Sequence, residues 1–287
     1  MKIISPRCSK TKLDPLSGEW LPKTFHDFLL ELDHLNSVCQ AERALSLFRG
    51  HSQRRWLLES TFARSCKMAL FRVSPYCRLP TNLANSKELH YVLLNLFLLK
   101  YGVLARPSDD LESLGQSSGV DPWFELMKRY QQYPEEDQLS LKGSNLLDWT
   151  LSSDVALYFA NDRRSGEGAV YICDPAATGK TMQTIPVGEI LDTMDRFGNA
   201  GQPKPCGTPL FFCPPKQIQN QRATNQQARY VAQMDLRFDL ETQWRTVGSK
   251  NPSEIILVKL VLPADTEDEV RSYLMNKGIC GSFIYSG

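Results

Sequence analysis

The stretch LDWTLSSDVALYFAND, residues 147–162, places a group of hydroxyl side chains between two different apolar patterns. Its first residues are apolar and aromatic and end at Thr150, which is typical of a short buried strand. The residues after Asp154 form a continuous apolar run that predicts a buried helix. Ser152 or Ser153 is expected to cap that helix, since a hydroxyl oxygen accepts from N–H groups of the first turn. The same free N–H groups also suit an anionic ligand, so a binding site is the second interpretation.

Further strands are predicted on both sides of this stretch. Upstream, ALSLFRGHSQRRW at residues 44–56 contains an apolar run that ends at Gly50 and predicts a buried strand leading into a turn. Downstream, β-branched and aromatic residues predict strands in GEGAVYICD (166–174), QARYVAQMDLRF (227–238), SEIILVKLVL (253–262) and ICGSFIYS (279–286).

Helices are predicted between these strands. Thr24 is expected to cap the first, and Thr266 is expected to form a capping box with Glu269 at the start of the last. The predicted helices are TFHDFLLELDHLNS (24–37), TNLANSKELHYVLLNLFLLKYG (81–102, ended by Gly102), DPWFELMKRYQQY (121–133) and TEDEVRSYLMNKG (266–278). Because strands and helices do not alternate regularly, the sequence predicts an α+β fold rather than a doubly wound sheet. Residues 1–40 are expected to form a loop and helix that pack on a main domain at 41–287.

Composition narrows the class of protein. The chain has 287 residues, is 42% hydrophobic and carries a net charge of +1, so it predicts a globular protein without a general preference for nucleic acid or anionic membrane. The most apolar segment, residues 91–105, contains Asn95 and Lys100 and is too short to span a bilayer. Eight cysteines without a Cys-x-x-Cys pair, and no secretory signal, favour reduced thiols in the cytoplasm and no metal.

Four groups of residues are candidates for chemistry. Each group also has a structural interpretation. In the order in which the groups are named at the end of this paragraph, these are a strand-end salt bridge, a helix cap, a polar loop and core packing. Arg54 and Arg55 beside Trp56 could extend an anion site at the first group or form a solvated turn. The groups are Phe48, Arg49, Gly50 and His51; Asp148, Thr150, Ser152 and Ser153; Arg222, Asn225, Gln226 and Gln227; and Trp123, Phe124, Tyr130 and Tyr133.

Three segments together resemble the FRG domain, a family named for its Phe-Arg-Gly motif. The first is LFRGH at 47–51, followed by Trp56 and by a second arginine, Arg64. The second is LLDWTLSSDVALYFA at 146–160, and the third is RATNQQARYV at 222–231. Their order and spacing match the family over about residues 40–287, and the Trp-Thr segment is the specific part.

The same series is similar to the Arg, Ser-Thr-Ser and Glu-x-Glu motifs of ADP-ribosyltransferases. This resemblance implies an ADP-ribosyltransferase-like split β-sheet core with a helical N-terminal part, and NAD as the substrate. It also implies that Arg49 orients NAD, that Thr150 braces the site, and that Gln226 or Gln227 contacts the nicotinamide ribose. The implied catalytic residues are Arg49, Thr150 and Gln227, and the implied NAD-binding residues are Arg49, Gly50, His51, Asp148, Trp149, Thr150, Tyr158, Gln226 and Gln227.

The resemblance implies transfer of ADP-ribose from NAD to a macromolecular acceptor, either a protein or a nucleic acid. It also implies a toxin or defence effector as the biological role, and no membrane partner is expected. The chain departs from the motif series where it has Gln226 and Gln227 in place of an acidic residue. A carboxylate stabilises a positively charged transition state, whereas an amide can only hydrogen-bond. A catalytically inactive nucleotide-binding or protein-interaction module is therefore the alternative function.

Overall fold

The structure is a computed structural model that describes residues 4–41, 46–74, 76–104, 141–173, 181–182, 210–212, 221–233, 235–250 and 257–286. The helix predicted at 121–133, with its aromatic cluster, lies outside these residues. The described strands are β1 (Lys12–Leu13), β2 (Trp20–Leu21), β3 (Leu47–His51), β4 (Leu146–Thr150), β5 (Gly168–Cys173), β6 (Thr181–Met182), β7 (Leu210–Phe212), β8 (Ala228–Ala232) and β9 (Leu257–Leu262). The described helices are α1 (Phe25–Ala41), α2 (Thr61–Phe71), α3 (Thr81–Ala84), α4 (Lys87–Leu104), α5 (Ser153–Asn161), α6 (Gln221–Asn225), α7 (Leu240–Lys250), α8 (Glu267–Asn276) and α9 (Gly281–Tyr285).

The described strands form one mixed sheet in the order β1-β2-β9-β5-β3-β4-β8-β7-β6. Neighbours from β9 through to β7 are antiparallel, whereas β2 runs parallel to β9 and β6 runs parallel to β7. The predicted α+β class is confirmed, and the strands predicted from residues 44–56, 166–174, 227–238 and 253–262 all lie in this sheet. Among the described helices, none combines the length and apolar character needed to cross a membrane.

The ladder between the two central strands is short. Strand β3 makes five residue pairs with β5, and β4 makes five with β8, but β3 and β4 share the single pair Phe48–Thr150. Where that ladder stops, the carbonyl oxygen of Asp148 accepts a hydrogen bond from the guanidinium of Arg49. A side chain therefore takes the position in which a continuous ladder would place a backbone donor.

One face of the sheet, called here the α5 face, carries Phe48 and Thr150. Over β9, β5 and β3 this face packs against α1, α5 and α8 through buried side chains such as Phe28, Leu157 and Leu274. Over β4 and β8 a second apolar cluster joins the sheet to α2 and α4. Both clusters bury side chains that recur at helical spacing, which is why these segments fold as helices against the sheet.

The opposite face, called here the α7 face, is covered by α7. Trp149 lies edge-on to Trp244 of this helix, with ring centroids 5.8 Å apart, and both rings are buried. Tyr171 and Leu147 belong to the same cluster. Since neighbouring residues of a strand point to opposite faces, Arg49 and His51 lie on the α7 face together with their strand neighbour Tyr171.

The N-terminal residues add two short strands and α1 to this arrangement. Trp20 pairs in register with Leu260 of β9, and α1 packs its buried face on the same part of the sheet. The predicted Thr24 cap is confirmed, because Asp27 donates its backbone N–H to Thr24 Oγ1 at 3.1 Å.

Three local predictions are wrong. The helix expected over 81–102 is divided into α3 and α4, because Ser86 Oγ accepts from the Leu89 N–H and starts a new helix, which then runs past Gly102. The segment 279–286 is the short helix α9 rather than a strand. The capping box at α8 does not form, since the Thr266 hydroxyl donates to the Pro263 carbonyl and accepts from Arg164 instead.

Candidate functional site

Arg49 lies where β3 and β4 separate. Its Nη1 donates to the carbonyl oxygen of Asp148, and its Nε donates to His51 Nε2 at 3.2 Å. Among the described residues, Nη2 has no hydrogen-bond partner and no carboxylate forms an ion pair with this guanidinium. This place, bounded by Arg49, His51 and Asp148, is called here the β3–β4 opening.

The charge of Arg49 is only partly compensated. Burial lowers the pKa of its guanidinium to about 10, the Asp148 carboxylate opposes this change, and the positive charge of Arg64 adds to it. The Arg49 guanidinium is still protonated at neutral pH, but keeping its positive charge away from water costs free energy. An anion bound beside Arg49 would lower that cost, because opposite charges attract more strongly where water is excluded.

His51 supports Arg49 as a neutral acceptor. Its ring is buried and lies edge-on to Tyr171 at 5.2 Å and to Trp56 at 5.9 Å between centroids. Burial, together with the positive charges of Arg49 and nearby cations, lowers the pKa of His51 well below its usual value. The imidazole is therefore uncharged at neutral pH, with Nε2 free of a proton so that it can accept from Arg49.

Gly50 has a packing function in this site. A Cβ added to it would lie 1.9 Å from the Ala156 carbonyl oxygen and 2.6 Å from the Ala160 nitrogen, both in the backbone of α5. Only glycine permits this approach, which brings α5 directly onto β3. The Phe-Arg-Gly segment thus fixes a helix on one face of the sheet while it presents Arg49 on the other.

Thr150 joins the end of β4 to the segment that leads into β8. Its Oγ1 donates to the Gln226 carbonyl at 2.6 Å and accepts the Ser152 N–H at 3.0 Å. Thr150 pairs with Phe48, and both lie on the α5 face, whereas Arg49 lies on the α7 face. The structure therefore does not bring the Thr150 hydroxyl and the Arg49 guanidinium onto one face of the sheet. The predicted helix cap next to it is confirmed, because Ser152 Oγ accepts the Val155 N–H at 3.3 Å.

The remaining predicted residues lie in three different places. Trp149 is a core side chain on the α7 face, packed against Trp244. Gln226 donates from Nε2 to the Ile284 carbonyl at 3.1 Å, and Tyr158 lies edge-on to Tyr285 at 6.3 Å, so both hold α9 in place. Gln227 is exposed and has a φ of 45°, and its carbonyl accepts the Leu151 N–H at 3.3 Å.

A charged cleft of about 1380 Å³ lies beside the β3–β4 opening on the α7 face. Trp56 and Tyr171, the two rings that His51 touches, both line it. Its charged lining includes Arg54, Arg55, Arg78 and Lys259. The basic pair beside Trp56 was the sequence signal for this cleft, but the remaining residues come from segments far apart in the chain.

Ion pairs fix much of the cleft wall. The Glu19 carboxylate is bound at 2.6 Å by both Arg54 and Lys259. Burial by itself would raise the pKa of Glu19, but the hydrogen bonds and charges of Lys259 and Arg54 outweigh it and lower the pKa. Asp239 is likewise buried, yet its hydrogen bond with Arg78 at 2.8 Å lowers its pKa. These carboxylates are therefore charged at neutral pH and hold the cationic side chains in position.

Comparison of the chain with protein-family models, with curated proteins and with solved structures found no match.

Proposed function

We propose that the chain binds NAD at the β3–β4 opening and that its sheet is of the ADP-ribosyltransferase-like split type. The observation that carries this proposal is the position of Arg49 between the two central strands where their ladder stops. The two strands that flank this position contain the first two motifs of the resemblance, because LFRGH forms β3 and LLDWT forms β4.

Arg49 has the geometry of an anion-binding group. The bonds from Nε to His51 and from Nη1 to Asp148 fix the guanidinium plane, and Nη2 has no partner among the described residues, so it could donate to a ligand. A guanidinium binds phosphate oxygens through directed N–H donors, and a guanidinium fixed beforehand loses less entropy on binding. The partly buried charge of Arg49 therefore supports binding of a diphosphate such as that of NAD.

The proposed reaction is transfer of ADP-ribose to a protein or nucleic-acid acceptor, as expected of a toxin or defence effector. The glycosidic bond between the nicotinamide nitrogen and C1 of the ribose breaks, and its electron pair leaves with nicotinamide. A nucleophile of the acceptor forms the new bond to C1 and gives up its proton. Arg49 would hold the phosphates, while Gln227, which is exposed and directly precedes β8, would contact the nicotinamide ribose.

A nucleotide-binding module without transfer activity is the second candidate. Residues 221–230 contain no Asp or Glu, so the start of β8 provides no carboxylate to stabilise a positively charged ribose. In addition, the side-chain amide of Gln226 already bonds to the Ile284 carbonyl. Both observations favour binding over catalysis, and the two candidates share the same site.

Two measurements on the same preparations separate these candidates. Isothermal titration calorimetry with NAD measures binding, and chromatography of the reaction mixture measures nicotinamide release. We expect Arg49→Met to weaken NAD binding at least tenfold, since it removes charge-assisted hydrogen bonds, and Arg271→Gln, on the exposed side of α8, to leave it unchanged. Binding without release would favour the module, and absence of NAD binding to the unmodified chain would refute both candidates.

A further inference from the structure

The wall of the charged cleft includes Tyr171, whose hydroxyl has no hydrogen-bond partner among the described residues. Tyr171 is 1% exposed, and its Oη contacts neither a donor nor an acceptor among the described residues. Burial, followed by the negative charges of Glu241 and Asp239, raises the pKa of this hydroxyl well above its usual value. The Tyr171 hydroxyl is thus a neutral donor. The two carboxylates that raise its pKa, those of Glu241 and Asp239, also line the cleft. A buried donor without an acceptor costs free energy unless a ligand or water supplies the acceptor.

A second buried donor lines the same cleft. The indole Nε1 of Trp56 is inaccessible to solvent and has no hydrogen-bond partner among the described residues. An indole N–H can only donate, so it too requires an acceptor. Trp56 and Tyr171 both pack against the ring of His51, so the two side chains lie near each other in the lining of the cleft.

Cationic side chains line the same cleft as these two donors. Arg55 is exposed and lies 4.4 Å above the ring centroid of Tyr76, and among the described residues no carboxylate forms an ion pair with it. Arg54 and Lys259 both form an ion pair with the carboxylate of Glu19, so these three side chains together carry two positive charges and one negative charge. A second carboxylate on Arg54, that of Glu167, is 45% exposed and is therefore screened by water.

We propose that the charged cleft binds a small phosphorylated molecule whose phosphate oxygens accept hydrogen bonds from Tyr171 Oη, Trp56 Nε1 and Arg55. The dianion of a phosphate ester has three terminal oxygens, one for each of these donors, and its phosphate group carries no donor that would remain unpaired against the guanidinium groups. Arg49 is not among the described residues that line the cleft, so this site is distinct from the β3–β4 opening. The proposal does not depend on the proposed NAD-binding function.

The test is calorimetric titration of the full chain with inorganic phosphate and with ribose 5-phosphate at constant ionic strength. Succinate is the carboxylate arm of the experiment. We expect both phosphates to bind and succinate to bind at least tenfold more weakly. If neither phosphate binds at millimolar concentration, or if succinate binds as tightly as they do, the proposal is wrong.

Two variants locate the site. Tyr171→Phe removes only the unpaired hydroxyl, so it should leave the melting temperature unchanged or raise it, while phosphate affinity falls about tenfold. Arg55→Gln, at an exposed position, should weaken phosphate binding to a similar extent. Arg271→Gln is the matched exposed arginine on α8 and should bind phosphate as the unmodified chain does. Unchanged phosphate affinity in both Tyr171→Phe and Arg55→Gln would overturn the assignment.

Discussion

Arg49 donates a hydrogen bond to the backbone carbonyl of Asp148 at the point where β3 and β4 separate. The two residues are 99 positions apart in the chain, and they belong to the two central strands of the sheet. A backbone carbonyl carries no net charge, so this bond positions the guanidinium without neutralising it. The same residue can therefore contribute to the fold and still keep its positive charge.

Replacing Arg49 by Met tests this division of roles. The variant loses two hydrogen bonds but also removes a charge that is held away from water, and these contributions oppose each other. We expect the free energy of unfolding, measured with urea, to change by less than about 1.5 kcal/mol, whereas NAD binding weakens at least tenfold. A stability loss above about 3 kcal/mol would instead identify Arg49 as a structural residue whose removal disrupts the central strands.

Substitution of Gly50 by Ala should destabilise the protein strongly. The added methyl group would overlap the backbone of α5 at Ala156, and backbone atoms cannot move away as the end of a flexible side chain can. We expect a loss of about 3 kcal/mol or more in the free energy of unfolding. Gly166→Ala is the control, because Gly166 has a φ of 81° but no atom within 4 Å of the added Cβ. It should cost only the backbone strain of about 1–2 kcal/mol, and equal losses in the two variants would contradict the close contact between β3 and α5.

Thr150→Val should weaken the connection between β4 and β8. Valine keeps the shape of threonine but can neither donate to the Gln226 carbonyl nor accept from the Ser152 N–H. Because these groups are partly buried, we expect a loss of about 1–3 kcal/mol in urea unfolding. Thr150→Ser retains the hydroxyl and should recover most of that loss. If Thr150→Val instead abolished NAD binding without a change in stability, the hydroxyl would belong to the ligand site.

The central strands could be predicted from the sequence because local pattern determines them. Apolar and β-branched runs gave β3, β5 and β9, and their burial in the middle of the sheet agrees with the pattern. The C-terminal segment could not be predicted in this way. Its residues favour a strand, but the carbonyls of Phe283 and Ile284 accept from Asn225 and Gln226, and these tertiary bonds hold it as the helix α9.

The candidate site was predicted in its residue types but not in its arrangement. Alternation along β3 and β4 gives the face of each side chain only when the register is known, and the register rests on the non-local pair Phe48–Thr150. For the same reason the sequence could not separate the Thr150 hydroxyl from the Arg49 guanidinium. The sequence also could not show that Tyr171 and Asp239 line the same cleft as Trp56, because these three residues come from distant segments of the chain.

His51 should make stability depend on pH. In the folded protein the pKa of His51 lies well below its usual value, chiefly because the ring is buried, whereas in the unfolded chain it is about 6.5. The unfolded state therefore binds a proton that the folded state does not bind below pH 6.5, and stability falls as the pH falls. Between pH 7.5 and 5.5 this residue should account for a loss of about 1.4 kcal/mol. His51→Gln keeps an acceptor for Arg49 but cannot titrate, so its urea unfolding should lose correspondingly less stability over this interval. The same pH dependence in both proteins would show that His51 is protonated in the folded state as readily as in the unfolded chain.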